Sequence, residues 1–336
     1  MSRTEISSPA ELMELVNGFR ISRIILTSHE LGLFNFLKNG KRTSGEVALL
    51  LGSHPRATDR LMNSLVAIGL LRKEENQFFN TGFTQKFLVT DSPFFLSGLS
   101  HAVHLWKTWS TLTPAVAAGT SVAVVDSIND RPEEWRSSFI AAMHSRASQQ
   151  AKEVAAFLDL PSTGTILDVG GGSGVFSFAF VNMQPGLKAV VFDLPNIVPL
   201  TKQYIIKEGL DNFISTYEGD YLKDDFGRNY ALVFMSAIIH INSPDENSLL
   251  IKRGASALAA GGKLVILDHI MNDDRTEPAM GAIFALNMLV GTDHGDTYSE
   301  TEISTWMKNA GLTDICRIDT PSGINLITGR KPTSES

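Results

Sequence analysis

The chain has a single cysteine, Cys316, in 336 residues. One cysteine forms no intramolecular disulfide and no multi-cysteine zinc site, and it points to an intracellular protein. No uncharged apolar run reaches the ~18 residues of a membrane-spanning helix. The opening residues, Met1 to Pro9, lack the basic-then-apolar layout of a secretory signal. A cytoplasmic protein with no membrane partner is the expectation. Cations are in deficit: 29 Lys and Arg stand against 36 Asp and Glu, a net charge of -7. That balance argues against a general nucleic-acid binder, although not against a local basic patch. His101 and His104 lie three apart and could begin a metal site, but no acid or thiol stands near them at ligand spacing. They read instead as one helix face, and no metal is expected.

What is present is an ordinary globular composition, 43% hydrophobic and 19% charged, in a chain long enough for two domains. Residues 10–37 read as helical and apolar nearly all round, the character of a helix that is deeply buried or packed on another subunit. Thr43 to Gly52 reads as a short helix with a capping-box start at Thr43 and Glu46 and a glycine stop. Arg56 to Gly69 reads as a second helix, and Leu70 to Asn80 as two strands around a polar turn. Helix, turn, helix and hairpin make a winged-helix pattern. A DNA reader would carry basic and amide side chains on its second helix. Here that helix has only Arg56, Arg60 and Asn63 beside Asp59, so a structural or dimerising role is favoured. A helix opening at Pro132 runs to about Leu158.

From Pro161 onward strands and helices alternate. The strands end in Val169, Phe192, Glu218, Met235 and Leu267, and a helix between Asp245 and Ala260 stops at Gly261-Gly262. This order predicts right-handed βαβ units in a mostly parallel sheet. The last two strands, near 314–319 and 324–329, are joined by too short a link for a parallel crossover and must pair antiparallel.

The stretch Asp168-Val-Gly170-Gly-Gly172-Ser-Gly174 places a glycine turn between a strand and a helix start. Such a junction lets backbone N–H groups approach a ligand. It lacks the Gly-Lys-Ser/Thr of a P-loop, and Val175 stands where a dinucleotide fingerprint needs Gly or Ala. Asp193 ends the next strand, where a carboxylate can accept two ribose hydroxyls, as suits NAD or S-adenosylmethionine. Asp220 follows the strand after that and could accept an adenine amine. An acid at Asp168 suits a ligand with cationic groups better than a pyrophosphate.

These motifs resemble those of class I S-adenosylmethionine-dependent methyltransferases, and more narrowly the small-molecule O-methyltransferases of the caffeic acid and acetylserotonin type. The resemblance covers nearly the whole chain, from Phe19 to Phe34 and His54 to Arg72 through Asp168 to Gly174, Phe192 to Pro195 and Glu218 to Asp220. It implies a winged-helix dimerisation domain (residues 1–95), a helical connector contributing to the substrate pocket (96–160), a Rossmann-like seven-stranded catalytic domain with an antiparallel last strand (161–330), a disordered tail (331–336), and a homodimer. It implies cofactor contacts at Asp168, Gly170, Gly172, Gly174, Asp193, Leu194, Asp220, Tyr221 and Ser236. Ser236 stands where plant members place a lysine. His240 matches the family's general base, Asp268 the acid that orients it, and Asn287 a substrate-contacting position. Asp296 lies beside the position of a second orienting acid. Met143, His144, Phe284 and Met288 are further candidates for the acceptor wall, with ordinary core packing as their other reading. His240-Ile241-Asn242 departs from the family's His-Asp-Trp.

A sulfonium methyl group is already activated, so attack on it needs a placed nucleophile and loss of a hydroxyl proton. A histidine, which titrates near neutrality, can take that proton. The expected activity is therefore methyl transfer from S-adenosylmethionine to a hydroxyl of a small aromatic acceptor. C-methylation, a non-methylating relative, an NAD-dependent oxidoreductase and a winged-helix regulator are the alternatives.

Overall fold

A computed structural model describes residues 5–123, 132–321 and 323–333. The chain divides into two compact units, residues 1–107 and 108–336.

The first unit begins with α1 (Pro9–Asn17) and α2 (Phe19–Glu30), then a 3-10 turn at Leu33–Leu37. The continuous helix expected over 10–37 is thus three pieces. Apolar residues recur throughout, but Gly18 breaks the first helix and Gly32, at φ +63, reverses the chain after the second. Leu33, Phe34 and Leu37 enter the core, whereas α1 buries nothing. Leu12, Leu15, Val16, Phe19 and Ile21 are all exposed.

Next come β1 (Arg42–Thr43), α3 (Ser44–Leu51), α4 (Pro55–Ala67), β2 (Leu71–Glu74), β3 (Gln77–Asn80), α5 (Gly82–Phe87) and α6 (Gly98–Trp109). The capping box at Thr43 and Glu46 is present, and Gly52 ends α3 at φ +63. Such caps contribute about 1 kcal/mol each. The hairpin β2–β3 gains β1 as a third antiparallel strand, completing the winged-helix arrangement around Val47, Met62, Leu65, Leu71 and Phe78.

The second unit contains α7 (Leu112–Ala118), α8 (Glu133–Phe157), β4 (Gly164–Val169), α9 (Val175–Met183), β5 (Leu187–Asp193), α10 (Val198–Glu208), β6 (Ile214–Glu218), β7 (Tyr230–Ser236), α11 (Pro244–Ala257), β8 (Leu258–Leu267), β9 (Ile270–Met271), α12 (Ala279–Gly291), β10 (Tyr298–Ser299), α13 (Glu300–Asn309), β11 (Thr313–Asp319) and β12 (Asn325–Arg330). Seven strands form one sheet in the order β11-β12-β8-β7-β4-β5-β6. Strands β4 to β8 are parallel to one another, and β12 runs antiparallel to both β8 and β11.

Alternation along the strands fills both faces. Ile166, Val191, Phe234 and Val265 pack with Phe176 and Phe180 of α9 and with Val154 of α8. Leu167, Phe192, Val233 and Ile266 pack on the other face with Leu250 of α11 and Ile303 of α13. The parallel register sets Val169 level with Phe192 and Met235, and Met235 level with Ile266. Asp193, Ser236 and Asp268 therefore reach the same carboxyl edge as the glycine turn that follows β4.

The glycine pair expected to stop a helix lies inside β8 instead. Helix α11 ends at Ala257, and the strand starts at once. Gly261, at φ +74, donates its N–H to the Lys331 carbonyl, and Lys331 returns a bond to the Gly262 carbonyl. Lys331, expected in a loose tail, is so tied to the sheet, while Ser334–Ser336 of that tail lie outside the described residues. Among the described residues no helix is long and apolar enough to cross a membrane, and no group of three His, Cys, Asp or Glu could hold a metal ion.

Candidate active site

The turn after β4 is shaped by glycine. Gly170, Gly172 and Gly174 all have positive φ, at +65, +56 and +80. At Gly170 a Cβ would stand 2.7 Å from Ile238 Cδ1, and at Gly171 one would stand 2.7 Å from Asp168 Cγ. No other residue type fits either point without displacing its neighbours. The turn is then pinned from three sides. Gly170 N–H bonds to the Phe192 carbonyl at 2.7 Å, Thr201 Oγ1 donates to the Gly172 carbonyl at 2.6 Å, and Gly172 N–H donates to Asp193 Oδ2 at 2.8 Å.

Asp168 lies beneath this turn rather than on its open face. It is 1% exposed, accepts from the Ser177 hydroxyl at 2.7 Å, and its Oδ1 is buried with no hydrogen-bond partner. Burial pushes its carboxyl up to about 7, against the opposing effect of Ser177. Asp193 is pushed up to about 6, again by burial, with the N–H groups of Gly172 and Leu194 working the other way. Its Oδ1 accepts from Leu194 and its Oδ2 from Gly172. A carboxylate has about four acceptor positions, so each oxygen keeps capacity for a hydroxyl donor.

Asp220 turns into its own loop. Its Oδ1 accepts from Leu222 N–H at 3.0 Å and its Oδ2 pairs with Lys223 at 2.8 Å. Burial works to raise its pKa, but Lys223 and Leu222 together hold it below the ordinary value. Tyr221, pushed up to about 12 by burial, donates its hydroxyl to Asn242 Oδ1 at 3.0 Å.

Strand β7 ends at half-buried Ser236, and Ala237 turns the chain at φ +55, a conformation disfavoured for a residue with a Cβ. A 3-10 turn, Ile239–Ile241, then carries His240. The His240 Nδ1 lies 2.8 Å from Asp268 Oδ1 and 3.0 Å from Oδ2. Asp268 is buried. Burial alone would raise its pKa, yet His240 and the His269 N–H hold it below the usual carboxylate value. An ionised carboxylate only accepts, so Nδ1 carries a proton and donates it to Asp268. Asp296 does not touch the imidazole. Its carboxylate meets Thr297 N–H and Arg275, and its backbone N–H donates to the His240 carbonyl at 3.0 Å.

The acceptor-wall candidates separate into groups. Phe284 meets the His240 ring edge-on, with centroids 4.9 Å apart. Asn287, one turn further along α12, accepts from Trp109 Nε1 at 2.8 Å. Met288 is buried and Met143 half-buried. His144 belongs to the glycine turn, for its Nδ1 sits 2.9 Å from the Ser173 hydroxyl and its ring stacks on Tyr204 at 4.6 Å. Burial lowers its pKa.

Residues 13–90 match the O-methyltransferase dimerisation domain, and residues 112–313 match the O-methyltransferase domain. The chain belongs to the O-methyltransferase family. As such it is an S-adenosylmethionine-dependent enzyme that methylates small molecules. This O-methyltransferase is 28% identical to the 3-hydroxy-5-methyl-1-naphthoate 3-O-methyltransferase of Streptomyces sahachiroi, over 96% of this chain and 95% of that one. It is 29% identical to the acetylserotonin O-methyltransferase of Bos taurus, over 91% and 93%. Human N-acetylserotonin methyltransferase, solved in complex with S-adenosylmethionine, superposes with a TM-score of 0.82 at 25% identity, over 99% and 100%.

Several residues of this O-methyltransferase's site escape the motifs. Ser177 and Thr201 fix Asp168 and Gly172, and only their buried hydroxyls mark them. His269 packs its ring on Phe284, with centroids 4.2 Å apart, and its backbone N–H donates to Asp268 Oδ1. Burial lowers its pKa while Asp268 opposes. Its position directly after Asp268 was the one available sign.

Proposed function

We propose that His240 is the general base for methylation of a hydroxyl on a small aromatic acceptor. The observation that carries this reading is the 2.8 Å contact from His240 Nδ1 to Asp268 at the carboxyl edge of the sheet. It leaves Nε2 free to take the acceptor's proton, with Asp268 holding the ring and offsetting the charge that forms. S-adenosylmethionine supplies the methyl group on an activated sulfonium, so neither a metal ion nor a covalent enzyme intermediate is required. The residues present suit that donor. The turn Gly170 to Gly174 gives close backbone approach, Asp193 keeps capacity for two hydroxyls beside Leu194, and Asp168 supports the turn from below. Asp220, Tyr221 and Ser236 would close the adenine side.

Phe284 and Asn287, with Met143 and Met288 behind them, would form the acceptor wall. Phe284 and its neighbour His269 favour a flat, aromatic acceptor. His144 would serve the cofactor turn. The exposed apolar residues of α1 and α2 within the dimerisation domain support a homodimer.

Methyl transfer from S-adenosylmethionine to a panel of hydroxylated compounds, aromatic (including 3-hydroxy-5-methyl-1-naphthoate and N-acetylserotonin) and non-aromatic, tests the acceptor class. Turnover confined to non-aromatic acceptors would remove it. His240→Ala should bind S-adenosylhomocysteine as the parent does and lose turnover. Unchanged turnover would remove His240 as the base.

A further inference from the structure

The turn that carries His240 is only three residues long, Ile239–Ile241. A single 3-10 turn has poor hydrogen-bond geometry and little stability of its own. It follows a residue at φ +55, so the local backbone does not favour this path either. Something outside the turn must fix where the imidazole stands.

Asn242, two residues beyond His240, is 3% exposed and uses both ends of its carboxamide. Its Oδ1 accepts from Tyr221 Oη at 3.0 Å, and its Nδ2 donates to Asn247 Oδ1 at 3.2 Å. Asn247, fully buried in α11, donates its Nδ2 to the Ile239 carbonyl at 2.8 Å. The Asn242 carbonyl accepts from the Tyr298 hydroxyl. The directions of these bonds are forced. A carbonyl only accepts, so Asn247 must present its NH₂ to Ile239 and its oxygen to Asn242. Asn242 must then present its NH₂ to Asn247, which turns its own oxygen to the Tyr221 hydroxyl. Three separate elements, the β6–β7 loop, α11 and β10, meet on this one side chain and its carbonyl. A buried polar cluster with each of these bonds made has one arrangement, and a partly made one is costly.

We infer that Asn242 is a positioning residue for His240: it closes a directional chain, Tyr221 to Asn242 to Asn247 to Ile239, that fixes the turn and so the Nδ1 contact with Asp268. The inference rests on His240 being the base. It gives the departure from the family's His-Asp-Trp pattern a physical content, since here the buried amide does the holding. Loss of the chain frees the turn, and a misplacement of about 1 Å at a reacting group is enough for about a 10²-fold loss of rate.

The test reads the imidazole directly. Full-length protein labelled with ¹⁵N in its histidine rings is studied by NMR, and His240→Ala identifies the His240 signals. The parent should show one tautomer, with Nδ1 protonated and Nε2 bare. Asn242→Ala should move the two ring nitrogens toward averaged shifts, with its affinity for S-adenosylhomocysteine kept within about threefold. Its turnover of the best acceptor in the panel should fall about 10²-fold with the KM for S-adenosylmethionine unchanged. Should Asn242→Ala not fold, the isosteric Asn242→Asp keeps the acceptor for Tyr221 and sets an acceptor in place of the donor to Asn247, and the same changes are expected. Parent-like ring shifts and turnover in a folded Asn242 variant would overturn the inference. If His240→Ala itself turns over normally, it is the assignment of the base that fails.

Discussion

His240 Nδ1 and Asp268 Oδ1 stand 2.8 Å apart although they leave the sheet from different strands, β7 and β8. The pairing of Ser236 with Leu267 brings them together. Replacing Asp268 by Asn presents an amide that can donate as well as accept, so Nδ1 is no longer held protonated. Asp268→Asn should lower kcat by about 10²-fold or more, with binding of S-adenosylhomocysteine unchanged by calorimetry. Equal loss of binding and turnover would assign Asp268 to folding alone.

Asp193 should make cofactor affinity depend on pH. Its carboxyl is pushed up to about 6, and a ligand that donates hydroxyls binds the ionised form. Affinity for S-adenosylhomocysteine should therefore be flat above pH 7 and weaken below about 6, by at most about tenfold per pH unit. Asp193→Asn should bind weakly with no such slope. A parent profile that is flat from pH 5 to 8 would exclude ligand binding to ionised Asp193.

Asp168 should be visible in stability. Its carboxyl is pushed up to about 7 in the folded protein and titrates near ~4 when unfolded. The folded state therefore holds the proton more tightly, and stability is lost as pH rises from about 4 through about 7. Asp168→Asn carries no such charge and keeps an acceptor for Ser177. Its melting temperature, without ligand, should fall less than the parent's between pH 5 and 8. Parallel curves would mean that the buried carboxylate stays ionised throughout.

Gly171→Ala would put a methyl 2.7 Å from Asp168 Cγ and 2.8 Å from Val191 Cγ1. Overpacking of this kind costs about 1–3 kcal/mol, and here it also lifts the turn. Melting temperature and affinity for S-adenosylhomocysteine should both drop, the affinity by about tenfold or more. Gly209→Ala at the end of α10 is the control. Gly209 has φ +68 but open space around it, so its loss should cost about 1 kcal/mol of stability and leave affinity unchanged.

The catalytic unit was highly legible from sequence because its signals are local. Strands such as Val190 to Asp193 are apolar runs with an acid at the tip, and the glycine turn announces itself by composition. Helix ends and breaks were harder. The apolar density of residues 10–37 hides the break at Gly18 and the left-handed Gly32, and a glycine pair looks like a helix stop whether it follows a helix or sits inside β8. At the site, Asp193 and Asp268 stand at strand ends and His240 follows one within a few residues, so the topology brings them to one edge. Ser177, Thr201, Asn242 and Asn247 act through side-chain contacts from one element to another, and a polar residue in a helix or loop gives no sign of its partner.

The antiparallel β12 lies between β8 and β11 although it is the last strand in chain order. During synthesis β8, which leads directly to Asp268, keeps an unpaired edge until Asn325–Arg330 has left the ribosome. Its partners there, Val265 against Thr328 and Ile266 against Ile327, are β-branched residues suited to pairing with any exposed strand. Folding of the catalytic sheet must therefore wait until β12 has been made, and a chain that stops short of β12 should aggregate through that edge rather than persist as a smaller enzyme.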